Sequence, residues 1–222
     1  MGEEKRFHVV VAANGDYGPA ERLLPIVDEA DCLIAADGGA NWLARHGRWP
    51  QVLIGDLDSV APEVRQVLEE GPCRVVRHRP DKDETDTELA LREAVAMGAE
   101  RITLLGALGG RLDHTLANIL LLAMPQLQEA EVVIYDGHAR IFLLRGEGTI
   151  CGQVGDTVSL LPLAGDAEGI VTEGLRYPLR GEALRFGLAR GVSNVLEQPC
   201  ASVSVGRGML LVVHTPAEED AA

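Results

Sequence analysis

An α/β first half followed by a C-terminal antiparallel β-sandwich is the architecture this sequence predicts, and three observations predict it. From residue 7 to about 136, short runs that are apolar throughout alternate with longer stretches of spaced apolar residues. That is the pattern of a mostly parallel sheet flanked by helices on both faces. Beyond about residue 140 the helical spacing fades, and short β-like runs separated by Gly-rich turns take over. Acidic residues recur in Gly- or Thr-rich turns just past the apolar runs of the first half, where parallel strands would gather their ends on one edge.

In chain order, the runs expected to be strands are Val9–Ala13, Cys32–Ala36, Val52–Ile54, Arg74–Arg77, Ile102–Leu105 and Val132–Tyr135. Helical spacing covers Pro19–Ala30, Glu88–Met97 and Leu112–Met124. The middle helix carries its own boundaries: Thr85 and Glu88 fit a capping box, and Gly98 supplies a stop. Further on, Thr149-Ile150-Cys151, Thr157–Pro162, Gly169–Thr172 and Ala201–Val205 read as strands. Residues 201–205 alternate with period two, and Gly206-Arg207-Gly208 turns the chain into Met209–His214. The division expected is residues 1–139 and residues 140–222.

At 222 residues the chain can bury a real core, and its apolar and charged fractions are those of a soluble globular protein. A net charge of −14 argues against a general nucleic-acid binder, which needs a basic face. It does not argue against a nucleotide enzyme, whose metal supplies local positive charge. Lys5 and Lys82 are the only lysines, and no Gly-Lys-Ser/Thr run exists, so a Walker loop is excluded. Cys32, Cys73, Cys151 and Cys200 are far apart without a Cys-x-x-Cys pair. They read as thiols without a disulfide framework, which fits a reducing compartment. The apolar run Phe7–Val11 is too short for a membrane span and lacks a cleavage pattern, so a cytoplasmic protein without membrane association is expected. The acidic Glu218-Glu219-Asp220 reads as a solvated end.

Crowded carboxylates repel, so an acidic sheet edge makes sense when a cation sits among them. That points to Mg²⁺ and, through it, to phosphate chemistry. Gly55-Asp56-Leu57-Asp58-Ser59 follows a strand, and residues two apart share a side of extended chain, so Asp56 and Asp58 can face one ion. A single helix-capping Asp would leave the second carboxylate unexplained. In Pro80-Asp81-Lys82-Asp83-Glu84-Thr85-Asp86 the helix dipole favours the acids in any case. Lys82 is positioned to neutralise a phosphate beside the metal. In Gly106-Ala107-Leu108-Gly109-Gly110-Arg111-Leu112-Asp113-His114, Gly109 and Gly110 allow close backbone approach, and Arg111 can fork onto phosphate oxygens. The helix starting near Leu112 offers N–H groups to an anion. His114 either touches a nucleotide or packs at the first helical turn. In Ala36-Asp37-Gly38-Gly39-Ala40-Asn41-Trp42, Asp37 suits a metal-bound water or a substrate hydroxyl, Asn41 a nucleotide, and Trp42 the core.

Taken in order, these blocks resemble the thiamine pyrophosphokinase family. The likeness continues through Thr172-Glu173-Gly174-Leu175-Arg176-Tyr177-Pro178-Leu179 and Gly191-Val192-Ser193-Asn194. The resemblance implies a homodimer with an ATP- and Mg²⁺-binding α/β domain, a thiamine-binding and dimerisation sandwich, and thiamine held where two subunits meet. It implies pyrophosphoryl transfer from Mg-ATP to the thiamine hydroxyl, giving thiamine diphosphate and AMP. By matching position, Asp56, Asp58 and Asp86 would be metal ligands. Asp37, Asn41, Arg111 and Asp113 would hold ATP, metal-linked water or the thiamine hydroxyl, and Ser193 and Asn194 would sit near the pyrimidine. Lys82 and Arg111 would absorb developing charge, and Asp37 or Asp113 would accept the hydroxyl proton. Some family members carry an aromatic residue after the Ser-Asn pair; here nothing aromatic follows Phe186, which leaves Met209 or Leu210 as replacement. The competing readings are a pyrophosphokinase for another hydroxymethyl heterocycle such as a pterin, a Mg²⁺-dependent phosphohydrolase, and a non-catalytic nucleotide or thiamine sensor. Ser193-Asn194 argues against the first, and the second has no need of a second domain.

Overall fold

A computed structural model describes residues 6–217, so the Glu218-Glu219-Asp220 tail lies outside the described residues. The chain divides into two units, Met1–Gly137 and His138–Ala222.

In the first unit every expected apolar run is a strand: β1 (His8–Ala12), β2 (Cys32–Ala36), β3 (Val52–Gly55), β4 (Arg74–Arg77), β5 (Arg101–Leu105) and β6 (Glu131–Tyr135). The helices are α1 (Ala20–Glu29), α2 (Gly39–Arg45), α3 (Pro62–Glu70), α4 (Asp86–Ala96) and α5 (Leu112–Leu121). The strands lie parallel in the order β4-β3-β2-β1-β5-β6. The chain therefore builds outward from β1 to β4 and then returns to the other side of β1. Such a switch point leaves a crevice at the carboxyl ends of the strands, where α/β proteins bind ligands.

The core explains why these strands do not alternate. Val10, Ala12, Leu33, Ala35 and Leu53 pack with Leu23 and Val27 of α1, Trp42 and Leu43 of α2, and Leu68 of α3. Helix α4 packs on β1, β2 and β3 without joining that cluster, and buries Ala90, Leu91 and Ala94 on the opposite face. With both faces covered, each position of β1 and β2 is buried, and all but His8 are apolar. The boundaries of α4 follow the capping chemistry: Thr85 Oγ1 accepts the Glu88 N–H at 3.1 Å, and Gly98 past the end adopts φ +85°.

The second unit contains β7 (Arg140–Leu144), β8 (Glu147–Cys151), β9 (Thr157–Pro162), β10 (Ala167–Glu173), β11 (Arg180–Leu184), β12 (Asn194–Val195), β13 (Cys200–Ser204) and β14 (Leu210–Thr215). They pair antiparallel as β12-β9-β14-β7 and β11-β10-β13-β8. Leu144, Val158, Leu160, Leu210 and Val212 of the first layer meet Ile150, Ile170, Leu184, Ala201 and Val203 of the second in one core. Alternate residues of β9 are buried, as expected where one face of a sheet packs.

One expectation is overturned here. Cys151 and Cys200 are not separate thiols: antiparallel pairing of β8 with β13 sets them directly opposite, and they form a disulfide. Their separation of 49 residues hid a pairing that only strand register creates. Cys32 and Cys73 are free, and burial pushes both thiols up.

A buried carboxylate–imidazole contact closes the same unit. Asp156 accepts the backbone N–H of Gln153 and of Ala217, each at 2.9 Å, and its Oδ2 lies 2.8 Å from His214 Nε2. Burial works to raise the Asp156 carboxyl, but the two N–H donors and His214 together hold it below the ordinary range. Asp156→Ala should cost about 3 kcal/mol in urea unfolding at neutral pH, since it strands a buried imidazole and two amides. Because the folded carboxyl is depressed, its stabilisation is fully present above about pH 4 and is lost as pH falls through its lower folded value. The variant's stability should therefore be flatter over that acid range.

Candidate active site

The first unit holds a cleft of about 660 Å³ at the carboxyl ends of β1, β2, β3 and β5, lined among others by Asn14, Asp37, Asp56, Asp58, Lys82, Asp86 and Arg111. Its acidic floor follows from register. Ala36 pairs with Ile54, so the turns leaving β2 and β3 emerge side by side. Asp37, Asp56 and Asp58 consequently offer carboxylate oxygens that all lie within 4.8 Å of one another.

Two glycines make this approach possible. A Cβ on Gly39 would lie 2.0 Å from the Ala12 carbonyl oxygen, so only glycine lets α2 start against the end of β1. Gly55 adopts φ +149°, and a Cβ there would stand 3.1 Å from both Asp37 Cβ and Asp86 Cγ. The loop itself is held in sparsely populated backbone: Asp37 has φ +46° and Leu57 φ +67°. Asp37 is buried at 6% exposure, and burial pushes its carboxyl up, the nearby Asp86 charge adding to the effect. Hydrogen bonds from Ser59 and Gly38 pull the other way without cancelling it. Three hard oxygen donors this close, one of them desolvated, fit a small divalent cation.

The other expected residues fall into distinct places. Asp86 opens α4 beside the cluster and is paired with Lys82, Nζ to Oδ1 2.6 Å. Arg111 forks onto Asp113 through Nε at 3.2 Å and Nη2 at 2.6 Å, both side chains being exposed. That guanidinium pulls the Asp113 carboxyl down to about 2. Gly109 and Gly110 line the cleft, but the Gly110 N–H is already donated to Asp16 Oδ2 at 3.0 Å. Asn41 does not line the cleft; its amide is bonded to the loop behind it. His114 is exposed and lines the cleft, whereas Trp42 is core, stacked on Tyr17 with ring centroids 4.3 Å apart.

Ser193 and Asn194 belong to the second unit. Asn194 lines a separate cavity of about 230 Å³ with Leu160, Tyr177, Pro178, Leu179 and Arg190. Its amide is engaged with Tyr177, accepting that residue's N–H at 3.0 Å and donating to its carbonyl at 2.8 Å. Ser193 has φ +58° and donates its N–H to Ser159 Oγ. Leu210 is fully buried and cannot meet a ligand, while Tyr177, 65% exposed, presents an aromatic ring at that cavity. Sequence reasoning missed Tyr177, Asn14 and Asp16. Asn14-Gly15-Asp16 sits just past β1 in the same kind of turn as the other acids, so the same rule would have found it.

Residues 23–134 match the family described as thiamin pyrophosphokinase, catalytic domain, and residues 147–210 match the thiamin pyrophosphokinase vitamin B1 binding domain. A thiamine pyrophosphokinase of Bacillus subtilis is 27% identical over 207 residues, covering 92% of this chain and 97% of that protein. Thiamine pyrophosphokinase 1 of Oryza sativa is 28% identical over 221 residues, covering 82% and 79%. Among solved structures, the Bacillus subtilis thiamine pyrophosphokinase superposes with a TM-score of 0.83 at 26% identity, covering 94% of this chain and 99% of that one. The Candida albicans thiamin pyrophosphokinase, at 18% identity, shares the fold with a TM-score of 0.84 over 96% of this chain and 90% of its own.

Two outcomes test this geometry. Gly55→Ala should weaken divalent-cation binding about tenfold in calorimetric titration, because the added methyl pushes Asp37 from Asp86. Unchanged binding would mean that the cluster does not hold the cation. Arg111→Ala should return the Asp113 carboxyl from about 2 toward the ordinary value of about 3.9 in a ¹³C NMR titration.

Proposed function

The chain belongs to the thiamin pyrophosphokinase family, and we propose that it transfers the pyrophosphoryl group of Mg-ATP to the hydroxyl of thiamine, giving thiamine diphosphate and AMP. The observation that carries this reading is the convergence of Asp37, Asp56 and Asp58 in a switch-point cleft within the segment that matches the catalytic domain.

Asp56 and Asp58 would hold Mg²⁺, joined by Asp37 from the neighbouring strand end and by Asp86 from the start of α4. When bound, the ion would neutralise charge on the phosphate oxygens of ATP. Lys82, only 14% exposed and already near the cluster, would exchange its bond to Asp86 for a phosphate oxygen. Arg111 would swing from Asp113 onto the phosphates, where its fork matches two oxygens. Gly109 and Gly110 would let the phosphate chain approach the backbone, with Asp16 yielding the Gly110 N–H. Asp37 or Asp113 would accept the proton of the thiamine hydroxyl. Alignment and charge neutralisation then do most of the chemistry.

In the second unit the cavity beside Asn194 would take thiamine, with Tyr177 as the stacking face, Asn194 in the wall and Ser193 next to it in the chain. A homodimer with thiamine at the subunit interface is part of the proposal. It is supported by α5, whose Leu112, Leu116 and Leu120 form an i, i+4, i+8 stripe with exposures of 71%, 53% and 58%. A cytoplasmic setting is part of the same proposal. No helix among the described residues is long and apolar enough to cross a membrane.

AMP release from ATP and Mg²⁺ should require thiamine and should not occur with a hydroxymethylpterin or without acceptor. Activity with the pterin alone, or acceptor-free phosphate release, would overturn the reading. Asp58→Asn should lower turnover by about 10²-fold or more while changing stability by under about 0.5 kcal/mol in chemical denaturation.

A further inference from the structure

Asn41 sits in the first turn of α2 and does not line the cleft, and both ends of its amide are used on a single neighbouring loop. Its Nδ2 donates to the Ser59 carbonyl at 2.8 Å, and its Oδ1 accepts the Ala61 N–H at 2.9 Å. The two partners, one acceptor and one donor, fix which end of the amide points where. They flank Val60 at the C-terminal end of the Asp56–Ser59 turn, so this one side chain ties down the exit of the loop that presents Asp56 and Asp58.

That loop needs closing. Leu57 is held at φ +67° with its side chain 2% exposed, a conformation costly for a bulky residue unless its surroundings impose it. Ala61, which precedes α3, offers no side chain to cap that helix, and Pro62 follows it. Inside the turn the Asp58 N–H is donated to Asp56 Oδ1 at 3.2 Å, and Ser59 Oγ to Asp58 Oδ1 at 2.8 Å. These bonds orient the carboxylates relative to each other but do not attach the loop to the sheet. Leu57 and Val60 pack it into the core, and the Asn41 amide ties it to α2 while the long Ser59 N–H to Asp37 Oδ1 contact at 3.4 Å ties it to the end of β2.

We propose that Asn41 is a positioning residue that sets the metal affinity of Asp56 and Asp58 by pinning their loop to α2, and that it does not contact the nucleotide. The inference rests on the metal role given above to those two acids. A side chain that orients ligands from behind typically governs metal affinity by one to two orders of magnitude.

The test is a Mn²⁺ titration by EPR on the substrate-free protein, with thermal melting to show that each variant is folded. Asn41→Ala should weaken Mn²⁺ binding about tenfold. In the thiamine-dependent assay it should raise the half-saturating Mg²⁺ concentration by a similar factor, with KM for thiamine and KM for ATP at saturating metal within about twofold of wild type. Ala61→Pro provides a second route, because it deletes the N–H that Asn41 accepts while the backbone already sits at φ −56°. If Asn41 acts through the loop, the two substitutions should be non-additive in Mn²⁺ affinity. Wild-type Mn²⁺ affinity in Asn41→Ala together with a raised KM for ATP would overturn the proposal in favour of direct nucleotide contact. Fully additive effects would overturn the stated route. Because the Mn²⁺ readout uses no substrate, it stands or falls separately from the assignment of thiamine as acceptor.

Discussion

Mutual repulsion among Asp37, Asp56 and Asp58 is the constraint around which the first unit is organised. Carboxylates whose oxygens come within 4.8 Å of one another do not stay there unless the backbone holds them or a cation joins them. The fold does the holding. Parallel pairing of β2 with β3 sets the two acidic turns side by side, Gly55 leaves room between Asp37 and Asp86, and Gly39 allows α2 to begin hard against β1. The repulsion left over would favour a cation among them, so in the proposed function the strain and the chemistry have one origin.

The loops around the cleft are pinned by side chains reaching from nearby elements. Asn41 of α2 holds the β3–α3 turn. Asn118 of α5, 7% exposed, donates to the Ala107 carbonyl at 2.7 Å and holds the β5–α5 turn. Asp16, past β1, takes the Gly110 N–H of that same turn. Precise placement of reacting groups comes from such supports, because a loop without them would spread the carboxylates and dilute their field.

Much of this was legible in the sequence because it depends on local pattern. Apolar runs without alternation gave the covered parallel strands, and the acids past them gave the cleft edge. Trp42 read correctly as core. What was not legible depends on pairing between distant segments. The choice of Asp37 rather than Asp86 as the closest companion of Asp56 and Asp58 follows from β2 lying beside β3 and from Lys82 engaging Asp86. The Cys151–Cys200 bond follows from β8 lying beside β13. Asn41, a polar residue in a motif that pointed toward a nucleotide, bonds its amide to the β3–α3 loop, and spacing along a chain does not reveal such a bond. Tyr177 was visible as a residue but not as a surface until Asn194 was seen folding its segment around the cavity.

In the proposed function the strand-end carboxylates of the first unit form one cation site. Anomalous diffraction from crystals grown with Mn²⁺ and a non-hydrolysable ATP analogue tests it most directly. A Mn²⁺ peak bound by carboxylate oxygens of at least two of Asp37, Asp56 and Asp58, and by the nucleotide phosphates, is expected. Mn²⁺ bound to the phosphates alone, with all three carboxylates outside its coordination sphere, would contradict it.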